Sequence, residues 1–194
     1  MSSAPLSTDA STLLQRALAA ELAVDLTPPP AEARVTSDRL VEVLHRAEAS
    51  SLDERAIWNL LFVAGELSLR VDVYRAHDLF RAVAALIERV GAGPLTPGDP
   101  RAAALEMGFD FFFARPSHPL LPLRATLVLE TLGSLLASER RAVVRAAIHG
   151  LGHLATRDGA AVALLDRYLA GRIGTKPDEG LAEYARDARR GALR

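Results

Sequence analysis

Apolar residues recur at intervals of three and four along nearly the whole chain, and no run of four to eight residues alternates apolar with polar as a half-buried strand does. That periodicity predicts an all-α protein. Leu14, Leu18 and Leu22 predict a first helix over 8–24, stopped by Thr27-Pro28-Pro29-Pro30, which no helix interior tolerates. Thr36 and Ser37 offer caps for a helix to about Ala49. Ser51-Leu52-Asp53-Glu54 reads as a capping box for the next, which carries Ile57, Leu60, Leu61, Ala64 and Leu67. Asp72 is placed to cap a helix reaching Val90, and Gly91-Ala92-Gly93-Pro94 ends it. The loop over 91–100, rich in proline and glycine, is the best place in the chain for contacts to thin out. Asp99-Pro100 makes an N-cap and N1 pair for a helix to about Arg115, which Pro116-Ser117-His118-Pro119 breaks. Further helices are predicted over 120–137, over 139–156 with Ser138 as cap, and, past an Asp158-Gly159 turn, over 160–172 and 177–190.

Taken as antiparallel hairpins, the helix pairs begin near 37, 73, 120 and 160. Their spacings bracket the period of roughly 40 to 47 residues expected of two-helix solenoid units. The organisation expected is an N-terminal helix and proline-rich linker over 1–30, then a repeat domain of about four hairpins over 31–194. Two stretches share a phrase, Leu129-Glu-Thr-Leu-Gly-Ser-Leu135 and Ile148-His-Gly-Leu-Gly-His-Leu154. The segment from Val143 to Leu154 resembles the inner helix of a HEAT-type repeat, whose short form reads approximately V-R-x-A-A-x-x-A-L-G-x-L. Ala146, Ala147, Gly150 and Gly152 stand where that family brings neighbouring helices close. Leu127 to Leu135 fits the second half of the pattern. The resemblance implies a right-handed α-solenoid of HEAT or armadillo type and a scaffold or binding surface more often than an active site. It carries over no functional residue.

Composition narrows the function classes. The 194 residues, 49% hydrophobic and 5% aromatic, suffice for one domain with a real core. With 23 basic and 24 acidic residues, no global field draws the chain to nucleic acid or an anionic membrane. The absence of cysteine removes disulfides, thiolate metal sites and a thiol nucleophile, and fits a reducing cytoplasm. Asp9, Gln15, Arg16 and Glu21 interrupt what a secretion signal would need, and Arg124 and Glu130 break the longest apolar run, over 119–137. A single lysine, Lys176, among many arginines reads as high-GC bacterial codon usage.

Candidate chemistry gathers on the helix predicted over 139–156. His149 and His153 are four apart, the spacing at which two imidazoles share a metal ion. A helical wheel collects Val143, Val144, Ala147, Ile148, Gly150, Leu151, Leu154 and Ala155 into one apolar arc. Arg145, His149 and His153 fall outside it, with Arg141 at its border, so this row is expected on a polar outer or groove-lining face. Gly-Leu-Gly between the histidines lacks the Glu of a zinc hydrolase, and the two arginines disfavour a cation. No metal or cofactor is therefore expected. Gly150-Leu-Gly-His-Leu-Ala155 matches the loose dinucleotide pattern but lies inside a helix, so its glycines read as packing residues. In Phe109-Asp-Phe-Phe-Phe113, Leu105, Phe109 and Phe112 share a stripe. Phe111 and Met107 lie on another side, either wedged in the core or exposed as a docking patch, while Glu106 and Asp110 point elsewhere. Trp58 and Phe62 read as core. Arg186, Arg189, Arg190 and Arg194 form a basic stripe suited to a solvated helix end.

The reading that follows is a non-enzymatic module binding another protein or a second copy of itself, without membrane or nucleic acid. Two alternatives remain. One is a solenoid contacting phosphates through Arg141, Arg145 and His149, as the DNA glycosylases among HEAT-like proteins suggest; the near-neutral charge weakens it. The other is a small-ligand or metal-binding helical protein in which the histidines point into a pocket.

Overall fold

The structure, a computed structural model, describes residue 15 and residues 32–96, 98–112 and 121–193, the side chains of residues 111, 112 and 121–123 excepted. Among the described residues there are eight α-helices and no strand, as the periodicity predicts. They are α1 (Ala33–Arg46), α2 (Glu54–Ser68), α3 (Val73–Gly91), α4 (Pro100–Met107), α5 (Leu121–Leu135), α6 (Arg141–Ala155), α7 (Gly159–Leu169) and α8 (Glu179–Arg189). Two 3-10 segments, Ala49–Ser51 and Gly108–Phe112, lie between them. Gln15 is helical, but the rest of the expected first helix, its triple proline and the 1–30 boundary lie outside the described residues. No described helix is long and apolar enough to cross a membrane.

Aspartate starts most of these helices. Asp53, Asp72, Asp99, Asp158 and Asp178 each accept a hydrogen bond from a first-turn amide, on Ala56, Arg75, Arg101, Ala160 and Leu181. Hence Asp53, not Ser51, caps α2; Ser51 sits in the 3-10 turn and its hydroxyl donates to the Glu48 carbonyl at 2.7 Å. Helix α1 begins at Ala33, ahead of Thr36 and Ser37, with no side-chain cap, and Ser37 is buried inside it. Ser138 stands two residues before the N-cap of α6, where its hydroxyl accepts from the Arg140 amide at 3.2 Å and donates to Glu88 at 3.1 Å. The largest departure is α4, which stops at Met107 and tightens into a 3-10 turn instead of running to Arg115. At Gly108 an added Cβ would lie 2.2 Å from Leu61 Cδ1, so the turn is drawn against α2 at that point.

Packing alternates along the chain. Helices α1, α3, α5 and α7 contact one another in sequence, as do α2, α4, α6 and α8. Consecutive helices cross between these two layers, and one continuous buried core joins α1 to α8, including Leu40, Leu60, Phe80, Leu86, Phe109, Leu132, Ile148, Leu165 and Tyr168. Over 91–100 none of the described residues is fully buried, and Leu95, partly buried, packs against this core. Trp58 and Phe62 are half-buried against the same core. Two arginines close the ends of neighbouring helices, Arg124 from one layer to the other and Arg89 within the odd-numbered layer. Arg124, buried in α5, donates from Nε to the Ser68 carbonyl at 2.6 Å and from Nη2 to Val71 at 2.5 Å, and Arg89 of α3 donates to the Leu44 carbonyl. Each sets positive charge on orphan carbonyls at a helix C-terminus, which explains a charge inside the long apolar run.

Two glycines inside α6 also stand at close approaches. At Gly150 an added Cβ would stand 2.9 Å from Leu132 Cδ2 and 3.1 Å from Cβ and Cγ of Phe109. At Gly152 it would meet Ala188 of α8 at 3.2 Å and Leu193 at 2.8 Å. Both sides of α6 are filled at these positions. Gly133 of the repeated phrase differs, its nearest neighbour being Leu164 at 3.5 Å, an ordinary contact. Gly150→Leu should therefore destabilise by overpacking, on the order of 1 to 3 kcal/mol. Gly133→Ala, at the α5 position that matches Gly152 in the repeated phrase, should stabilise by about 0.5 to 1 kcal/mol through helix propensity. Urea unfolding of the two variants checks this, and equal small effects would show that α6 has room at Gly150.

Candidate functional site

Three elements meet over one face of α6. Its 3.6-residue period places Arg145, His149 and His153 in a row, one turn apart. Opposite them stand Glu106 of α4 and Asp110 of the 3-10 turn, also four residues apart, and Tyr184 comes from α8. Arg145 grips Glu106 with both arms of its guanidinium, Nε to Oε2 at 2.7 Å and Nη2 to Oε1 at 3.2 Å. The same guanidinium lies 4.0 Å from the centre of the Tyr184 ring. The Tyr184 hydroxyl donates to Glu106 Oε1 and lies 2.9 Å from Nδ1 of His149. Because that hydroxyl spends its proton on the carboxylate, its oxygen is the acceptor for a hydrogen on His149 Nδ1, and Nε2 is the ring nitrogen turned away from Tyr184.

That Nε2 points into a second group of atoms. It lies 3.0 Å from Nε2 of His153 and 3.3 Å from Oδ1 of Asp110, and His153 Nε2 lies 2.8 Å from the same Oδ1. The two rings stand edge to face, centroids 4.7 Å apart. Asp110 Oδ1 is shielded from solvent and accepts no aligned hydrogen bond, close though the imidazoles are. The His149 side chain is 8% exposed, whereas those of Asp110 and His153 are each 34% exposed, so the group is closed on the α8 side and open on the other.

Burial alone would raise both carboxyls. For Glu106, the hydrogen bonds from Arg145 and Tyr184 outweigh burial and hold it below its ordinary value. For Asp110, burial is outweighed by the contacts with His149 and His153, and the group stays well below the usual carboxylate range. Burial, then the bond to Glu106, push the Tyr184 phenol up, so it remains a donor.

The structure brings Arg145, His149 and His153 together, as their spacing suggests, but not on a solvated face. His149 is buried at 6% exposure because α8 and the 3-10 turn cover the side of α6 that a wheel of that helix alone assigns to solvent. Glu106 and Asp110, expected off the apolar stripes of their own segment, face α6. Arg141 lies one turn before Arg145, exposed, and pairs with Asp178, the N-cap of α8. Met107 is 41% exposed beside the site. Phe111 belongs to the 3-10 turn, its side chain outside the described residues. Sequence reasoning missed Glu106, Asp110 and Tyr184. The matched four-residue spacing of Glu106/Asp110 and His149/His153 was the available signal for two of them; Tyr184 carried none. No protein-family model, curated protein or solved structure matches this chain.

Tyr184→Phe removes the hydroxyl that joins Glu106 to His149 and should cost about 1 to 3 kcal/mol, since two partners lose a shielded hydrogen bond. Arg141→Gln, which breaks an exposed pair, should stay within about 1 kcal/mol. Urea unfolding of both variants is the check, and equal small losses would show that Tyr184 is not part of a working polar chain.

Proposed function

We propose that the chain is an α-solenoid of four HEAT-like hairpins working as a binding module, and that the cluster over α6 is its ligand site. The alternating contacts of odd with odd and even with even helices support the solenoid reading, because two-helix repeats stack in that manner. One observation carries the choice of site: on the face of α6, two imidazole nitrogens and a carboxylate oxygen converge, while Arg141 and Arg145 are already matched with Asp178 and Glu106. A phosphate would have to displace those carboxylates and would meet Asp110. The ligand favoured is therefore an electron-pair acceptor, not an anion or a nucleic acid.

A second reading, the protein-interaction scaffold, is favoured by two exposed apolar side chains. Val35 and Tyr74, 51% and 81% exposed, stand in the first turns of α1 and α3, where Arg75 meets Asp38 at 3.4 Å. Tyr74→Arg would abolish partner capture in that reading and leave the cluster over α6 untouched.

Two measurements test the site. Duplex DNA at low salt, where phosphate contacts are strongest, should not retain the protein; salt-dependent retention would restore the nucleic-acid reading. At pH 8, above the ordinary imidazole range, Asp110→Asn should cost no more than about 1 kcal/mol, because the imidazole contacts that favour the carboxylate are lost but the desolvation of a partly buried charge is lost with them. A loss of about 3 kcal/mol or more would make the cluster a structural ion network instead.

A further inference from the structure

We infer that the ligand of this site is a divalent first-row transition-metal ion held by Asp110 Oδ1, His149 Nε2 and His153 Nε2. The inference rests on the reading of the cluster as a binding site and names what it binds. The three atoms form a triangle with edges of 3.0, 2.8 and 3.3 Å. Each brings a lone pair to its centre. One proton can bridge the two imidazole nitrogens, but Asp110 Oδ1, buried beside both rings, is then left without an aligned donor. A cation at the usual bond lengths of about 2.0 to 2.2 Å sits just off the plane of such a triangle and engages all three. The same three residues are the group among the described residues whose ligand atoms lie close enough to share an ion.

The donor set decides the class of ion. Magnesium and calcium take oxygen cages, whereas two imidazoles and one carboxylate suit zinc, iron, cobalt or nickel. The arginines of the row do not oppose the charge, because Glu106 neutralises Arg145 and Asp178 neutralises Arg141. Beyond the ligands, the chain Arg145–Glu106–Tyr184 holds the hydrogen of His149 on Nδ1 and so fixes Nε2 as the ligating atom, which makes Tyr184 a positioning residue. Three protein ligands leave further coordination positions, and the third-exposed sides of Asp110 and His153 turn these to solvent. Water or a small exogenous donor completes the shell there.

The test uses the full chain, free of any tag and stripped with a chelator, with zinc and cobalt(II) as the probes. Equilibrium dialysis with elemental analysis should find one zinc per chain, and cobalt should give the visible bands of a low-symmetry nitrogen and oxygen site. His153→Gln and Asp110→Asn should each weaken zinc at least tenfold. Tyr184→Phe should weaken it about 10- to 100-fold at unchanged stoichiometry, and His77→Gln, at an exposed histidine on α3, should change nothing. Circular dichroism confirms that each variant is folded. A parent chain that takes up neither ion overturns the inference, as does zinc binding undiminished in both ligand variants. If neither ion binds while Asp110→Asn unfolds at the parental urea concentration, the ligand is of another kind and the site remains. If neither ion binds and Asp110→Asn unfolds far earlier, the binding-site reading falls with it.

Discussion

The close approach of the Gly108–Phe112 turn to α6 at Gly150 is the contact on which the rest of the site depends. Phe109 is fully buried against Gly150, and a methyl group there would already stand 3.1 Å from its ring. Seating that ring in the core fixes the next residue, Asp110, over the histidines. On the other flank Gly152 lets α8 come down on α6 through Ala188, and Tyr184, one turn earlier on α8, is delivered to His149. Small and polar residues thus interleave along one turn: Gly150 and Gly152 accept the neighbours, while His149 and His153 receive what the neighbours carry. Each glycine costs about 1 kcal/mol of helix propensity, and burying Phe109 returns about 1.5 to 3 kcal/mol.

The polar groups divide by what holds them. Arg145, Glu106 and Tyr184 satisfy one another with aligned bonds, and together they tie α4, α6 and α8 across the even-numbered layer. Asp110 lacks that closure: its buried Oδ1 has no aligned donor, although two imidazole nitrogens lie close to it. A fully partnered chain stabilises a fold, whereas convergent lone pairs left open to solvent on one side add little to it. That contrast separates the tether from the site.

Much of the fold was legible in the chain because local signals carry it. Asp72, Asp99 and the Gly91-Ala92-Gly93-Pro94 cluster mark helix ends that the structure reproduces within a few residues. The misplaced caps have a common cause: Thr36, Ser37 and Ser51 are good cap residues by type, but burial of Ser37 inside α1 and the 3-10 turn at Ser51 follow from packing that no local window contains. The site was legible by halves. The spacing of His149 and His153 could be read, yet their surroundings could not, since a wheel assumes one buried face and α6 is contacted by α4, α5, α7 and α8 together. Glu106 and Asp110 reach α6 only because α4 tightens at Gly108, and Tyr184 lies 35 residues away in sequence.

Anomalous diffraction at the zinc edge, from crystals of the full chain soaked in zinc, would locate the ion on the triangle of Asp110, His149 and His153. One peak is expected, bonded to Asp110 Oδ1, His149 Nε2 and His153 Nε2 at about 2.0 to 2.2 Å, with Tyr184 still bridging His149 and Glu106. No peak at that triangle, or zinc held only by other histidines, would contradict the metal assignment.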